Sequence, residues 1–310
     1  MARRYDLVMT HLLDTDDFFI HRIQENAANR GLNFFLIEPT WVAAFLEKFR
    51  KEEICVGVLL NMHSEHHLPE DIYHQLVRAA AEKGVAIIDP PDIAKVAFDK
   101  AQLQGRLEKA GLRTPFTVVV PNELTASFRL SDEQRHRLGS SFVVKPSMGY
   151  GRRGLVLDAT SEADIIRSVQ AWPSPAYLVQ EKIVARSRGG HPSYFRVFYV
   201  FGSIWCCWWN CFTDEYRLMS GEEVTTLGLN RLQEIVFQVA GLTGMNFFSS
   251  EIAETAEGEL VLIDYVNDQC HMLSQRANPR LGVPDELVAR IAQRLVEGAL
   301  LLLARQKSAT

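Results

Sequence analysis

Short apolar runs alternate with longer amphipathic stretches over the first hundred residues of the chain. The apolar runs have strand length, and the stretches between them show the apolar spacing that is typical of helices. Strands are predicted at 5–10, 33–37, 54–60 and 85–88, and helices at 16–30, 40–49 and 69–83. Gly31 and Gly84 follow two of these helices, where a glycine commonly ends one. This alternation predicts a parallel α/β sheet.

The pattern changes after the turn Asp89-Pro90-Pro91. A helix over 92–110 leads to strands at 116–120, 142–145, 155–158 and 177–181, with a helix that begins near Ser161. Further along are strands at 194–201 and 203–211, a helix at 228–240, a hairpin at 246–266 and a last helix at 284–304. We therefore expect three units: an N-terminal α/β domain (1–110), a central lobe (111–182) and a C-terminal lobe (183–310).

Composition narrows the class of protein. Of 310 residues, 47% are hydrophobic and 23% are charged, which is ordinary for a globular protein, and the net charge is −5 without a basic tract that would favour nucleic acid. Three of the five cysteines lie in the stretch 205–211 beside tryptophans, and these three are expected to be reduced core thiols. The start lacks a signal-peptide pattern, and the apolar run 299–304 is too short to span a membrane. These features predict a soluble, cytoplasmic protein.

The segment from Lys145 to Val156 contains the pattern Gly-x-Gly-x-x-Gly. A dinucleotide fold needs a helix directly after such a loop, but Leu155-Val156-Leu157-Asp158 predicts a strand. Protein kinases share the glycine pattern but also carry His-Arg-Asp and Asp-Phe-Gly, which this chain lacks. The Gly-Lys-Ser/Thr of a Walker loop is absent as well.

What remains is a strand, a lysine, a flexible glycine loop and a second strand. Such a hairpin can fold over a nucleotide, because the glycines Gly149, Gly151 and Gly154 let backbone N–H groups approach phosphate oxygens. Lys145 would supply a point charge at the end of the first strand. The alternative is a surface hairpin with a solvated lysine.

Val143-Val144-Lys145-Pro146 with its glycine loop resembles the ATP-grasp superfamily, and other motifs follow in that family's order between residues 88 and 267. The resemblance implies an ATP-grasp fold, of mixed α/β class, behind an N-terminal parallel α/β pre-ATP-grasp domain. It implies ATP and Mg²⁺ as cofactors, with Lys100 and Lys145 at the phosphates and Arg196 on the arginine strand of the third lobe. The strand and hinge that would hold adenine correspond to Gln180, Glu181, Lys182 and Ile183, through backbone N–H and C=O groups.

The hairpin 246–266 supplies acidic residues for a metal. If Glu257-Gly258 is a two-residue turn, Glu251 stands directly opposite Asp264. Two carboxylates that close repel each other unless a proton or a cation lies between them, and Mg²⁺ bridging them to ATP phosphates suits this pair. Asn267 would add an amide oxygen. The family usually has an acid, one residue and then Asn, whereas Asp264 and Asn267 are three apart, so we expect a bulge, or Asp268 as the ligand instead.

The resemblance implies an ATP-dependent carboxylate–amine ligase that forms an acyl-phosphate and releases ADP and phosphate. The alternatives are an ATP-grasp kinase acting on a small molecule and a non-catalytic nucleotide-binding protein. Arg276, in the segment after the metal hairpin, is a candidate for the substrate carboxylate, since arginine binds carboxylates by a bidentate fork. The expected partners are a small-molecule carboxylate and an amine, both unidentified, and homo-oligomerisation stays open. The stretch His63-Ser64-Glu65-His66-His67 is expected to be a solvated loop rather than a metal site.

Overall fold

A computed structural model describes residues 2–10, 17–63 and 68–309. The N-terminal lobe contains a four-stranded parallel sheet, as predicted, in the order β2-β1-β3-β4. Its strands are β1 (Arg3–Thr10), β2 (Phe34–Ile37), β3 (Ile54–Leu60) and β4 (Ala86–Ile88). The helices between and after them are α1 (Asp17–Asn29), α2 (Val42–Arg50), α3 (Ile72–Glu82) and α4 (Pro91–Phe98), with a 3₁₀ turn at Pro39–Trp41.

The prediction of a single helix over 92–110 is wrong, because the helix is interrupted at Asp99. This residue is extended (φ −76°, ψ 96°) and begins a new helix, α5 (Lys100–Lys109). The Asp99 carboxylate accepts hydrogen bonds from the N–H groups of Ala101 (3.1 Å) and Gln102 (3.4 Å). Such a cap satisfies N–H groups that the first helical turn leaves unpaired. The break makes Lys100 the first residue of α5, and its N–H donates to the Ser147 carbonyl (2.9 Å).

The central lobe is an antiparallel sheet in the order β5-β8-β6-β7. The strands are β5 (Thr117–Pro121), β6 (Phe142–Pro146), β7 (Val156–Ala159) and β8 (Ala176–Glu181). The helices α6 (Asp132–Leu138) and α7 (Ala163–Ala171) accompany this sheet, and a 3₁₀ turn lies at Asn122–Leu124. Its small core includes Leu138, Ile165, Tyr177 and Val179, so one face of the sheet is covered by these helices.

The C-terminal lobe holds a five-stranded antiparallel sheet in the order β13-β12-β11-β14-β15. Its strands are β11 (Tyr194–Val200), β12 (Ser203–Trp209), β13 (Tyr216–Leu218), β14 (Phe247–Glu254) and β15 (Leu260–Asn267), after a small hairpin of β9 (Ser187–Arg188) and β10 (His191–Pro192). The helices are α8 (Gly221–Thr226), α9 (Arg231–Thr243) and α10 (Asp285–Ala309). The sequence pattern did not predict β9, β10, β13 or α8, which are too short to show a period.

The largest apolar core joins the first and third lobes. It contains Leu7 and Met9 from β1, Phe198 from β11, and Leu287 and Leu295 from α10. The last helix therefore packs between the parallel sheet and the C-terminal sheet. Cys206 and Cys207 on β12 are buried on the two faces of the sheet, which confirms the prediction of core thiols at these positions. Cys211 lies beyond the end of β12 and is only half-buried, so the prediction is wrong there. None of the described helices combines the length and the apolar character that crossing a bilayer requires.

Candidate active site

The hairpin of β14 and β15 places two carboxylates side by side. Glu251 pairs directly with Asp264, which confirms the predicted pair. Ser249 pairs with Asn267, so one extra residue lies on β15 between the two pairs. This irregularity is the expected bulge, and it returns Asn267 to the sheet face that carries Glu251 and Asp264.

The turn that joins these strands differs from the prediction. Gly258 donates its N–H to the Thr255 carbonyl (3.0 Å), and Thr255 donates to the Glu259 carbonyl (2.9 Å). Gly258 has φ +82°, so the connection is a three-residue loop that ends in a left-handed glycine. Close to the turn Glu254 pairs with Leu260, and a second irregularity between Glu251 and Ile252 shifts the register by one. Glu251 therefore reaches Asp264 because of a bulge as well as the turn.

Two lysines from different lobes converge on Asp264. The Nζ atoms of Lys100 and Lys145 lie 3.8 Å and 3.9 Å from its Oδ1. Lys145 also donates to the Ile263 carbonyl (2.9 Å), and its ammonium lies over the Tyr265 ring. These contacts bring α5, β6 and β15 together, so the lysine-bearing hairpin and the acidic hairpin share one cleft.

Arg196 completes the charged cluster from the neighbouring strand β11. Its Nη1 donates to the Glu251 carboxylate, and its Nε donates to the Ser249 hydroxyl (2.9 Å). The arginine is only 8% exposed, and Ser249 is fully buried. Two fixed hydrogen bonds from a planar guanidinium leave it little freedom. Ser249, which the sequence analysis missed, therefore orients Arg196; its place two residues before Glu251 on one strand face was the available signal.

The charges shift one another's pKa values. Burial raises the pKa of Glu251 to about 6, and the nearby Asp264 adds to this effect while Arg196 opposes it. Burial alone would also raise the pKa of Asp264, but Lys100 and Lys145 outweigh it and the net shift is downward. Burial lowers the pKa of Lys145, a direction that Asp264 opposes. Three cations and two carboxylates give the cluster a formal charge of 3 − 2 = +1, which favours an anionic ligand such as a polyphosphate.

Residues 147–155, which we call the glycine loop, connect β6 to β7 beside this cluster. Lys100 Nζ donates to the Gly149 carbonyl (3.1 Å), so the loop begins within reach of the lysines. Gly154 has φ +69°, and a Cβ there would lie 2.7 Å from Pro146 and 2.8 Å from Trp172. Gly151 also has a positive φ, +58°, but has open space around it. Gly154 thus anchors the loop tightly, whereas Gly151 serves the backbone conformation alone.

The predicted adenine hinge, residues 180–183, consists of the last two residues of β8 and the two residues after it. The Gln180 side chain is buried and donates to the hydroxyls of Thr117 and Tyr265, both at 2.8 Å. The Glu181 N–H donates to the Phe116 carbonyl (2.8 Å), so only the residues after it lie beyond the sheet. Lys182 pairs with Asp158 through its side chain, and the Ile183 carbonyl accepts from Tyr194 (3.3 Å).

Within the described chain, the N–H groups of Lys182 and Ile183 donate to no backbone carbonyl. Backbone N–H and C=O groups of this stretch are what reading an adenine edge requires. Lys182 and Ile183 therefore remain the better placed of the four hinge candidates, while Gln180 has a structural role through its side chain.

Other candidates lie outside the cluster. Arg276 is 62% exposed at its side chain, pairs with Asp285 (3.0 Å) and stacks on Phe18. Asp268 is 4% exposed, and it lies close enough to Asp89 for the two carboxylates to interact: burial and the Asp268 charge raise the pKa of Asp89 to about 7. His63 stacks on Tyr73 (4.4 Å) beside Asp71, whereas the rest of that histidine-rich stretch, 64–67, lies outside the described residues.

The donor set fits a cation that is held only in part by protein. Asp264 Oδ1 is buried and has no hydrogen-bond partner among the described residues, although the two ammonium groups lie near it. Across the part of the chain that the structure describes, no group of three or more His, Cys, Asp or Glu side chains could enclose a metal. Two carboxylates and the amide of Asn267 suit Mg²⁺, which is usually bound by one or two carboxylates with substrate phosphates and water.

Comparison with solved structures identifies the fold. The chain superposes on D-alanine–D-alanine ligase from Bacillus anthracis in complex with ATP with a TM-score of 0.65 and 14% identity, covering 99% of both chains. A RimK-domain ATP-grasp protein from Sphaerobacter thermophilus gives 0.62 and 18% identity, covering 96% of this chain and 98% of that one. The ATP-grasp ligase PsnB in complex with a minimal precursor, Mg and ADP gives 0.60 and 12%, with the same coverage.

The chain therefore has the ATP-grasp fold, as the motif order predicted. No protein-family model and no curated protein sequence matches it.

Proposed function

We propose that this protein is an ATP-dependent ligase that joins a carboxylate to an amine. One observation carries the proposal: Lys100 and Lys145 both lie within 4 Å of Asp264, in the cleft where Asp264 opposes Glu251 and Glu251 binds Arg196. Lysines at a glycine loop and paired carboxylates are the groups that position a metal-bound triphosphate. The likeness to ATP-grasp ligases that were solved with ATP, or with Mg and ADP, supports the same proposal.

In this proposal different residues of the site bind the phosphates, the adenine and the metal. Lys100 and Lys145 hold the phosphates, and Lys182 and Ile183 read the adenine edge through their backbones. Glu251, Asp264 and Asn267 hold Mg²⁺, which when bound would neutralise charge on the phosphates. Arg196 lies on the other side of Glu251, where it would stabilise negative charge on the transferring group.

The proposed chemistry needs little proton transfer by side chains. A carboxylate oxygen of the substrate attacks the γ-phosphorus, the bond to the β-phosphate oxygen breaks, and ADP leaves. The amine then attacks the acyl carbon, and the bond from that carbon to the oxygen it shares with the phosphoryl group breaks. Inorganic phosphate leaves with that oxygen and takes up the proton that the amine loses. Because water would destroy the acyl-phosphate, the glycine loop has to exclude water while the intermediate exists.

The test uses hydroxylamine as a substitute amine. Protein, Mg²⁺ and ATP are incubated with pools of amino acids and other small carboxylates, and both free phosphate and hydroxamates are measured. Phosphate release with hydroxamate formation supports the ligase. Phosphate that stays on an acceptor hydroxyl supports the alternative kinase, and the absence of turnover with any pool supports a non-catalytic nucleotide-binding protein.

Asp264→Asn is the matched negative variant in this assay. It keeps the shape of the side chain but removes one of the two opposed carboxylates. We expect it to lose both signals. If the variant retains full phosphate release, Asp264 is not needed for the reaction and the assignment of the site is wrong.

A further inference from the structure

The glycine loop carries an arginine that reaches across the cleft. Arg152 Nη2 lies 2.6 Å from the Asp214 carboxylate and donates to the Cys211 carbonyl (2.8 Å). Asp214 and Cys211 belong to residues 210–215, which connect β12 to β13 and which we call the β12–β13 turn. A loop of the central lobe is thus tied directly to the C-terminal lobe.

The β12–β13 turn is held by hydrogen bonds of its own that do not involve Arg152. The Asn210 side-chain oxygen accepts from the N–H groups of Phe212 (3.0 Å) and Thr213 (3.3 Å), and the Asp214 N–H donates to the Asn210 carbonyl (2.7 Å). Asp214 has φ +62°, a left-handed conformation that Asp and Asn tolerate better than most residues. The acceptor for Arg152 is therefore built by local hydrogen bonds.

The turn is also fixed from the opposite side. Arg280 Nε donates to the Thr213 carbonyl (3.2 Å), and Gln275 donates to the Tyr216 carbonyl at the first residue of β13 (2.9 Å). The segment that follows the acidic hairpin thus supports the turn to which the glycine loop is bound. Within its own lobe the glycine loop is held by Lys100 at Gly149, by close packing at Gly154, and by the Trp172 ring, against which Tyr150 and Arg153 pack. Arg152 adds a contact to the C-terminal lobe.

We propose that Arg152 is a positioning residue: by binding Asp214 and the Cys211 carbonyl, it holds the glycine loop closed over the cleft. Its consequence for ATP rests on the function proposed above, but the closure itself does not. Arg152 and Asp214 side chains are 50% and 35% exposed, so the pair is a modest one that can open for ligand exchange. Loss of such an exposed pair changes an equilibrium by about two- to fivefold.

Asp214→Asn tests the closure without nucleotide. Asn keeps the left-handed conformation, and the variant retains Arg152 and Arg153, so its trypsin sites in the loop are unchanged. Cleavage after these arginines reports the open population when opening is fast relative to cleavage. We expect cleavage in the variant to be about two- to fivefold faster than in the wild type, with an unchanged melting temperature. Equal cleavage rates would overturn the proposal.

Repeating the digestion with Mg²⁺ and a non-hydrolysable ATP analogue separates the two claims. We call the contact of Arg152 with Asp214 and the Cys211 carbonyl the latch. If the analogue slows cleavage of the wild type, and the Asp214→Asn variant is still cleaved faster than the wild type, the result supports both the latch and nucleotide binding. Faster cleavage of the variant with no effect of the analogue on either protein supports the latch and counts against the proposed function. Cleavage rates that are equal in the two proteins, and that the analogue slows to the same extent, overturn the latch alone.

A double-mutant cycle distinguishes positioning from direct phosphate binding. If Arg152 acts through Asp214, Arg152→Gln and Asp214→Asn should each raise the KM for ATP by about two- to fivefold, and the double variant should match the Arg152→Gln variant. Arg153→Gln is the matched control, because Arg153 stacks on Tyr150 and Trp172 within its own lobe. Its effect should add to that of Asp214→Asn. If Asp214→Asn leaves the KM unchanged while Arg152→Gln raises it, Arg152 binds the nucleotide itself and the proposal is wrong.

Discussion

Replacing Lys145 by methionine should remove ATP affinity and leave the fold largely intact. The ammonium is buried, 3.9 Å from Asp264 Oδ1 and hydrogen-bonded to the Ile263 carbonyl at 2.9 Å. At this distance the attraction between the charges is about 4 kcal/mol for an effective dielectric constant near 20. Desolvation of an ammonium costs several kcal/mol, so the pair contributes little net free energy to folding.

The balance changes when a polyphosphate enters the cleft. The ammonium is already desolvated, and truncating one partner of a buried charged pair costs about 2–5 kcal/mol of binding free energy. Because each 1.4 kcal/mol is tenfold, the Kd for ATP with Mg²⁺ should rise by about 30-fold or more. The free energy of unfolding should change by less than about 2 kcal/mol, because methionine fills the volume and Lys100 still faces Asp264.

Calorimetric titration of ATP gives the Kd, and urea unfolding gives the stability. Lys83→Met is the control, since this lysine pairs with Glu52 on the surface of the first lobe (3.0 Å). The control should bind ATP as the wild type does. An ATP affinity for the Lys145→Met variant within twofold of the wild type would refute the assignment of the phosphate site.

Three further predictions concern other parts of the molecule. Asp264→Asn should raise the Mg²⁺ concentration for half-maximal ATP binding by at least about tenfold, measured by titration, since it deletes one of two carboxylate ligands; unchanged Mg²⁺ dependence would exclude Asp264 as a ligand. Burial and a neighbouring carboxylate raise the pKa of Asp89 to about 7, so its folded form binds a proton that the unfolded chain releases near pH 4. The wild type should therefore gain about 1 kcal/mol of unfolding free energy per unit as pH falls from 7 to 5, relative to Asp89→Asn, and parallel pH profiles would contradict this. Gly154→Ala should destabilise the protein more than Gly151→Ala, because only the first adds a clash to an unfavourable φ; equal urea midpoints would show that the contacts at Gly154 relax.

Much of the site was predictable because its elements are local in the sequence. Glu251 and Asp264 do oppose each other, but the assumed two-residue turn is a three-residue loop, and a bulge between Glu251 and Ile252 compensates for the difference. The bulge before Asn267 followed from the odd spacing of Asp264 and Asn267. A dinucleotide fold could be excluded because a strand, and not a helix, follows the glycine loop. Short-range geometry of this kind depends on periods of two and 3.6 residues, which the chain itself displays.

Other contacts could not be predicted, because they depend on which strands become neighbours. Arg196 binds Glu251 only because β11 lies beside β14, although the two residues are 55 positions apart in the sequence. The Gln180 side chain donates to the Tyr265 hydroxyl of β15 (2.8 Å), a contact between two lobes that the sequence pattern does not contain. Arg276, a candidate for substrate binding, pairs with Asp285 at the start of α10 instead of with the cluster.

The sequence by itself determined the kinds of groups present and their order: a lysine before a glycine loop, a hinge, an arginine strand and an acidic hairpin. Only the tertiary structure decided that Lys100, Lys145 and Arg196 surround the same two carboxylates, and that Arg152 crosses to Asp214. The physical reason is that local periodicity specifies the face on which a side chain lies. The neighbour it meets there is selected by the packing of the three lobes against shared apolar cores.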